Sequence, residues 1–436
     1  MLSILDRYRK YGKHVNWFRA LPGINDGLRP AERRALVGGY KAAKEMVKSV
    51  KIVAAGLVLH PHGDASFYDT LARLVNAGYF DKQGNWGSTE GLTPQTAAAM
   101  RYTEARLNSF YKNMIFEFIH DVPWEEIEIE EEPLFLPTPV PLCFLLDNVN
   151  IGIGFGIKTV IPRYKLNDLI SLTKSIVVDR KPIVIKPYCP GNIVLKESEV
   201  EQLLDSGEGR IVFQTRYRIN ENNRNIKIYG TPVGGFSSLL SMLENRYFKD
   251  GSVSFNDHSE GGKVELEVSV IKNKRCDFTK LCKDVIHEIT KPINCKILVN
   301  DKNAVRCIGV KEFLIHTLNN YMETYHHRLE TDHRKIEDKL YEFRLIEKVR
   351  PFIGEYLKQK IYDIEFIVSD ILNNIDNLDE KVLRDLMKKY SIEKLFTVSI
   401  DVEKLKEEMG MIKYKINNIN AVTLEKYLSF FRPEDE

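Results

Sequence analysis

The chain has 436 residues, 63 Lys and Arg against 61 Asp and Glu for a net charge of +2, and is 43% hydrophobic and 28% charged. That length calls for two or three domains with ample core, and the composition excludes disordered and fibrous classes. No apolar run is long enough to span a bilayer, no signal-peptide pattern opens the chain, and six cysteines without a C-x-x-C pair point away from structural zinc and toward a reducing, cytoplasmic compartment.

The near-zero net charge conceals an uneven distribution. Residues 1–51 hold twelve Lys or Arg against four Asp or Glu, whereas 125-EEIEIEEE-132 places six glutamates in eight positions. A basic block of this kind fits a phosphate-binding surface and equally a solvated helical face. Residues 30–50 read as a helix, interrupted by the small residues around Gly56. The stretch 66-SFYDTLARLVN-76 has helical apolar spacing, with Gly63 and Asp64 offering a turn and an N-cap. Two helices joined by such a turn inside a basic region suggest a helix-turn-helix.

From 133 onward, prolines at 133, 137, 139 and 141 exclude helix, and Ile alternates with Gly across 151–157 in a strand or tight-loop pattern. Residues 163–310 mix strands (IVIKP, GRIVFQTRYRI, RNIKIYG, KVELEVSVI) with helices at 236–247 and 278–289, an α+β region with one solvated sheet face. From Lys311 the seam Leu314, Leu318, Met322, Tyr325, Leu329, Ile336, Leu340 and Phe343 predicts a coiled-coil helix, uninterrupted until Pro351. His333 is its polar seam position and reads as packing with a polar edge. A second helical stretch, 379–413, is expected to return antiparallel.

Four segments carry chemistry: 19-RALPGINDGLRPAERRAL-36, 60-HPHGDASFYDTLARL-74, 84-GNWGS-88 and 97-AAAMRYTEARL-107. Singly, each has a mundane reading as surface patch, turn or common dipeptide. Together they supply what phosphodiester cleavage by a tyrosine needs. A phenol with a pKa of roughly 10 attacks phosphorus only when cations or a metal favour the phenolate. The non-bridging oxygens then need positive charge, which guanidinium forks provide. Arg101 adjoins Tyr102, Arg19, Arg33 and Arg34 lie upstream, and HPHGD opens a helix N-terminus, itself an anion site.

These four segments, in this order, resemble the breakage-reunion subunit of type IIA DNA topoisomerases, the A subunits of bacterial DNA gyrase and topoisomerase IV. The likeness is close over 17–162 and collinear beyond. It implies a multidomain α+β chain: a winged-helix (helix-turn-helix) DNA-gate domain over 1–162, a tower domain over 163–310, and a long antiparallel coiled coil with a helical C-terminal dimer gate over 311–436. It implies that Tyr102 attacks a DNA phosphate to form a 5′-phosphotyrosyl link, with Arg101 supporting that phosphate in trans with groups of a partner protomer. It further implies that Arg19, Arg34 and His60 position or stabilise the scissile phosphate, that Arg29, Arg33 and His62 grip the nearby backbone, and that Ile153 wedges between base pairs. The partners implied are duplex DNA, a second copy of the chain, and a gyrase B-like ATPase/TOPRIM subunit completing an A2B2 assembly.

The chain has neither a G-x-x-x-x-G-K-[ST] motif nor a D-x-D cluster, so Mg²⁺ and ATP are both expected on that partner subunit. Ala65 replaces a usual serine while Asp69 is kept, which predicts a weak quinolone response, and Glu32 stands where the family carries a neutral or basic residue. The chain ends soon after the coiled coil without DNA-wrapping repeats, so relaxation or decatenation is expected over negative supercoiling, and the compact size resembles phage-encoded multi-subunit topoisomerases. Two other readings stay open: an HUH-type nickase using His60 and His62, and a non-enzymatic DNA-bending helix-turn-helix protein that gives Tyr102 no task.

Overall fold

The computed structural model describes residues 3–59, 62–127, 130–249, 251–260, 262–302, 304–375 and 378–431. By internal contacts the chain divides into Met1–Thr324 with Glu425–Glu436, and Tyr325–Leu424.

In the first unit a basic helix α1 (Ile4–Val15), capped by Ser3, runs into a π-turn at Asn16–Ala20. Helix α2 (Pro30–Ala42) starts on a proline at N1, where the missing N–H costs nothing. A short strand β1 (Val47–Lys48) separates it from α3 (Ser49–Leu57), so the helix expected over 30–50 ends at Ala42 and a new one starts at Ser49. Helix α3 ends at Leu57, one residue past Gly56, as expected; a Cβ on Gly56 would meet the Phe67 ring at 2.2 Å, while one on Gly38 would stand 2.9 Å from the Gly56 nitrogen. The small residues let α2, α3 and α4 (Asp64–Asn76) cross closely. Strands β2 (Phe80–Gln83) and β3 (Glu104–Leu107) join β1 in an antiparallel sheet of order β1-β3-β2. Three helices against this small sheet share one core with Leu36, Phe67, Leu71 and Leu74 fully buried.

Helix α5 (Ser109–Phe116) and the hairpin β4 (Trp124–Glu126) and β5 (Glu131–Pro133) follow. The proline-rich stretch then runs without helix to a 3-10 turn at Leu142–Leu145. Strands β6 (Val149–Ile153) and β7 (Lys158–Pro162) form a hairpin, so the Ile/Gly alternation is strand and tight loop at once. Next come α6 (Leu166–Val177), β8 (Asn192–Val194), α7 (Ser198–Ser206), β9 (Glu208–Asn220), β10 (Asn225–Tyr229), α8 (Ser237–Leu243), β11 (Val253–Asp257), β12 (Glu265–Val270), α9 (Phe278–Glu288) and β13 (Thr290–Lys296). The eight-stranded antiparallel sheet has the order β11-β12-β10-β9-β13-β7-β6, with β8 on β9, so the 149–162 hairpin is continuous with the later strands. The expected strand IVIKP joins no sheet, leaving Pro187 without a ladder to break. A two-stranded ribbon, β14 (Leu298–Asp301) and β15 (Ala304–Cys307), precedes the long helix.

Helix α10 (Val310–Gln359) is continuous through Pro351, where the sequence predicts a stop. Of the apolar positions predicted to form a seam, Leu314, Leu318, Leu329, Ile336, Leu340 and Phe343 are buried. In the second unit, α11 (Ile364–Asn374), α12 (Glu380–Lys389) and α13 (Ile392–Thr397) form a small helical core with Ile346, Val349 and Ile353. The stretch 379–413 is therefore several helices. Side chains of Asp379, Ser391 and Asp401 each cap a new start, the last opening α14 (Val402–Asn417). Helix α15 (Ile419–Leu428) ends in the first unit, where buried Tyr427 donates to the Thr173 hydroxyl at 2.7 Å.

Candidate functional site

Tyr102 sits at the end of a loop whose backbone is tied down on every side. Gly84 and Gly87 adopt positive φ, and a Cβ on them would stand 2.8 Å from the Tyr102 carbonyl oxygen and 2.3 Å from that of Gln95. The GNWG motif is thus the floor on which the tyrosine loop lies. Ser88 and Gln95 exchange backbone hydrogen bonds of 2.9 and 2.8 Å, and the Ala98 N–H donates to Asn85 C=O at 2.9 Å. From α4, the Tyr68 hydroxyl reaches Ala98 C=O at 2.6 Å and Thr103 Oγ1 at 2.7 Å, and Thr103 Oγ1 lies 2.8 Å from Ser49 Oγ of α3. Burial raises the Tyr68 phenol above its ordinary range, against the pull of the Thr103 bond, so it stays a neutral donor. At the far tip the Gly91 N–H donates to Thr231 Oγ1 at 2.8 Å, and Leu92 packs against the core of the β10–β12 layer.

The side chain is free where the backbone is fixed. Tyr102 is 62% exposed, and the Arg101 guanidinium carbon lies 4.6 Å from its ring centroid. The phenol hydroxyl faces solvent with a delocalised cation at its flank.

A second group gathers on β6. Ile151 and Ile153 project outward, Ile153 being 75% exposed, while Phe155 in the following turn packs edge-on against Tyr8 of α1 at 4.8 Å. The intervening glycines face the π-turn, where a Cβ on Gly152 would stand 2.2 Å from Ala20 C=O and one on Gly154 2.3 Å from Asn16 Oδ1. The alternation is therefore steric: one side of the strand has no room, and the other presents apolar side chains to solvent. Arg19, in the same π-turn, is exposed beside this strand. Arg29 is turned inward, its guanidinium donating to Asn150 Oδ1 and, at 3.0 Å, to Ile151 C=O.

Arg33 and Arg34 occupy internal ion pairs. Arg33 meets Asp26 at 2.7 and 3.0 Å, and although burial opposes its charge, Asp26 with Glu132 and Glu32 behind it raises its pKa. Arg34, 2% exposed, meets buried Glu132 through two bonds of 2.7 and 2.6 Å. One glutamate of the acidic run is thus an interior counter-ion. His62 is half-buried just before α4, and His60 lies outside the described residues. Tyr68, Thr103, Asn150 and Glu132 build the supports, yet nothing in the sequence singles them out; only GNWG carries a signal, in glycines flanking a buried Trp86.

Among the described residues no three of His, Cys, Asp and Glu converge as a metal site. No described helix is long and apolar enough to cross a membrane.

The family model for the A subunit of DNA gyrase/topoisomerase IV matches residues 19–431. The chain is 28% identical over 446 residues to the DNA gyrase A subunits of Staphylococcus aureus strains NCTC 8325 / PS 47 and COL, covering 94% of this chain and 48% of each relative. The corresponding protein of strain MRSA252 matches to the same extent. The chain spans about half the length of these curated relatives. The chain belongs to the family of DNA gyrase and topoisomerase IV A subunits.

Proposed function

We propose that the chain is the DNA cleavage and religation subunit of an ATP-dependent type II topoisomerase. The observation that carries this is the geometry of Tyr102: an exposed phenol on an immobilised backbone with a guanidinium at its flank. The phenol oxygen attacks a backbone phosphorus, the P–O3′ bond breaks, and the freed 3′-oxygen takes a proton, leaving a 5′-phosphotyrosyl link. A second duplex passes, and attack by the 3′-hydroxyl reverses the step and regenerates the phenol. Because the new ester stores the energy of the broken one, the chemical step needs positioning and charge stabilisation above all.

Arg101 and exposed Arg19 supply positive charge to the phosphate, with His62 just before α4 and His60 two positions upstream in the sequence. Arg33 and Arg34, held by carboxylates, set the α2 scaffold from within. Ile153 enters the base stack and bends the duplex. Residues 1–162 form the winged-helix gate, 163–310 the tower, and 311–436 the coiled coil and dimer gate. The working assembly is A2B2 in the cytoplasm, with a gyrase B-like subunit carrying ATP and Mg²⁺. The test combines the chain with such a partner, Mg²⁺, ATP and a single plasmid topoisomer. Linking-number changes in steps of two support the reading, and steps of one reject it.

A further inference from the structure

Ile153 stands on a strand that needs anchoring, because a side chain pushed between base pairs pushes back on its own backbone. The anchor is a charge network centred on buried Glu32. Glu32, 2% exposed on the first turn of α2, accepts the Arg29 backbone N–H through Oε2 at 2.9 Å. Its Oε1 lies 3.5 Å from Arg73 of α4 and 3.9 Å from Arg29 Nε. Arg73 in turn pairs with Asp147, two residues before β6 begins. Arg29 reaches the middle of β6 through Asn150 Oδ1, on a buried side chain, and Ile151 C=O. The strand is thus gripped at its entry and at its centre from one carboxylate. Helix capping alone would use one oxygen of Glu32; here the other faces two guanidinium groups.

We propose that Glu32 and Arg29 are positioning residues that brace the Ile153 strand against DNA insertion, Arg29 serving as a strand anchor and not as a phosphate ligand. This rests on the reading of Ile153 as a wedge. Both readings of Arg29 need its positive charge, but only the brace needs its fork: a lysine grips a phosphate well yet offers one ammonium in place of a planar pair of donors.

The experiment uses the full chain and a duplex carrying a donor and an acceptor dye at its ends. Energy transfer reads the bend, and fluorescence anisotropy over a salt series reads affinity and counterion release. For Arg29→Lys and Glu32→Gln the brace predicts wild-type affinity with a bent-to-straight ratio lowered about tenfold, the scale of one buried charged hydrogen bond. For Arg29→Ala it predicts an unchanged salt slope. The proposal is overturned if Arg29→Lys bends DNA like the wild type, or if Arg29→Ala flattens the slope by the roughly 0.9 expected of one lost phosphate contact. Ile153→Ala separates the two layers. If it bends DNA normally, or the wild type leaves the duplex straight, the wedge reading fails and the brace with it. If Ile153→Ala abolishes the bend while Arg29→Lys and Glu32→Gln keep it, the brace alone fails.

Discussion

Replacing Glu132 by Gln tests whether Arg34 is an interior scaffold residue. The pair is bidentate at 2.7 and 2.6 Å, with side-chain exposures of 2% and 6%. Glutamine preserves the shape but removes the carboxylate charge that this buried guanidinium meets through two bonds. Breaking a buried pair from one side costs about 3–5 kcal/mol, whereas replacing both partners by apolar groups of similar volume is close to neutral. Arg34→Met and Glu132→Gln should each destabilise by that amount, and Arg34→Met with Glu132→Leu should recover most of it. Urea unfolding followed by tryptophan fluorescence suits the measurement, because Trp17, Trp86 and Trp124 all lie in the first unit. A loss below about 1 kcal/mol for Glu132→Gln would mark the pair as solvated and refute the reasoning. A folded double variant unable to attach to DNA would return Arg34 to the scissile phosphate.

Three further outcomes follow from the same contacts. Thr231→Val removes the hydroxyl that holds Gly91 and should slow covalent attachment without changing DNA affinity, while Thr231→Ser should restore the rate; equal rates in all three would dismiss this contact. His316 lies 3.0 Å from Asn25 Oδ1, and burial lowers its pKa below the ordinary 6.5. The unfolded chain therefore binds the proton first, so this group's contribution to stability falls as pH drops from about 6.5 toward the folded value; a His316→Asn chain with unchanged pH dependence would contradict this. Burial pushes the Cys189 and Cys295 thiols up to about 12, and Cys307 is exposed, so a thiol reagent at pH 8 should modify Cys307 well before those two, as peptide mass spectrometry would show.

Much of the site was legible because its signals are local. The GNWG motif marked what proves to be the floor of the tyrosine loop, and the Ile/Gly alternation marked the strand and tight loop at 149–157. What escaped depends on distant partners. Glu132 looks like one more surface glutamate until folding carries it onto Arg34, 98 positions away. Arg29 and Arg33 look like phosphate ligands by type, yet their carbonyl and carboxylate partners turn them inward. Pro351 misleads for a related reason: packing of the buried neighbours Val349 and Ile353 outweighs the one hydrogen bond a proline removes. Gly56, which does stand at the end of α3, is also a crossing point because Phe67 needs the space of its missing Cβ.

The central claim is that Tyr102 becomes covalently joined to DNA. Mixing the chain with the proposed gyrase B-like subunit, Mg²⁺ and plasmid, stopping with detergent, and mapping the DNA-linked peptide by mass spectrometry tests it directly. The account predicts a nucleotide adduct on the peptide bearing Tyr102, joined through a 5′-phosphate, and none in Tyr102→Phe, which should still bind DNA. An adduct on another residue, or one that survives Tyr102→Phe, would contradict it.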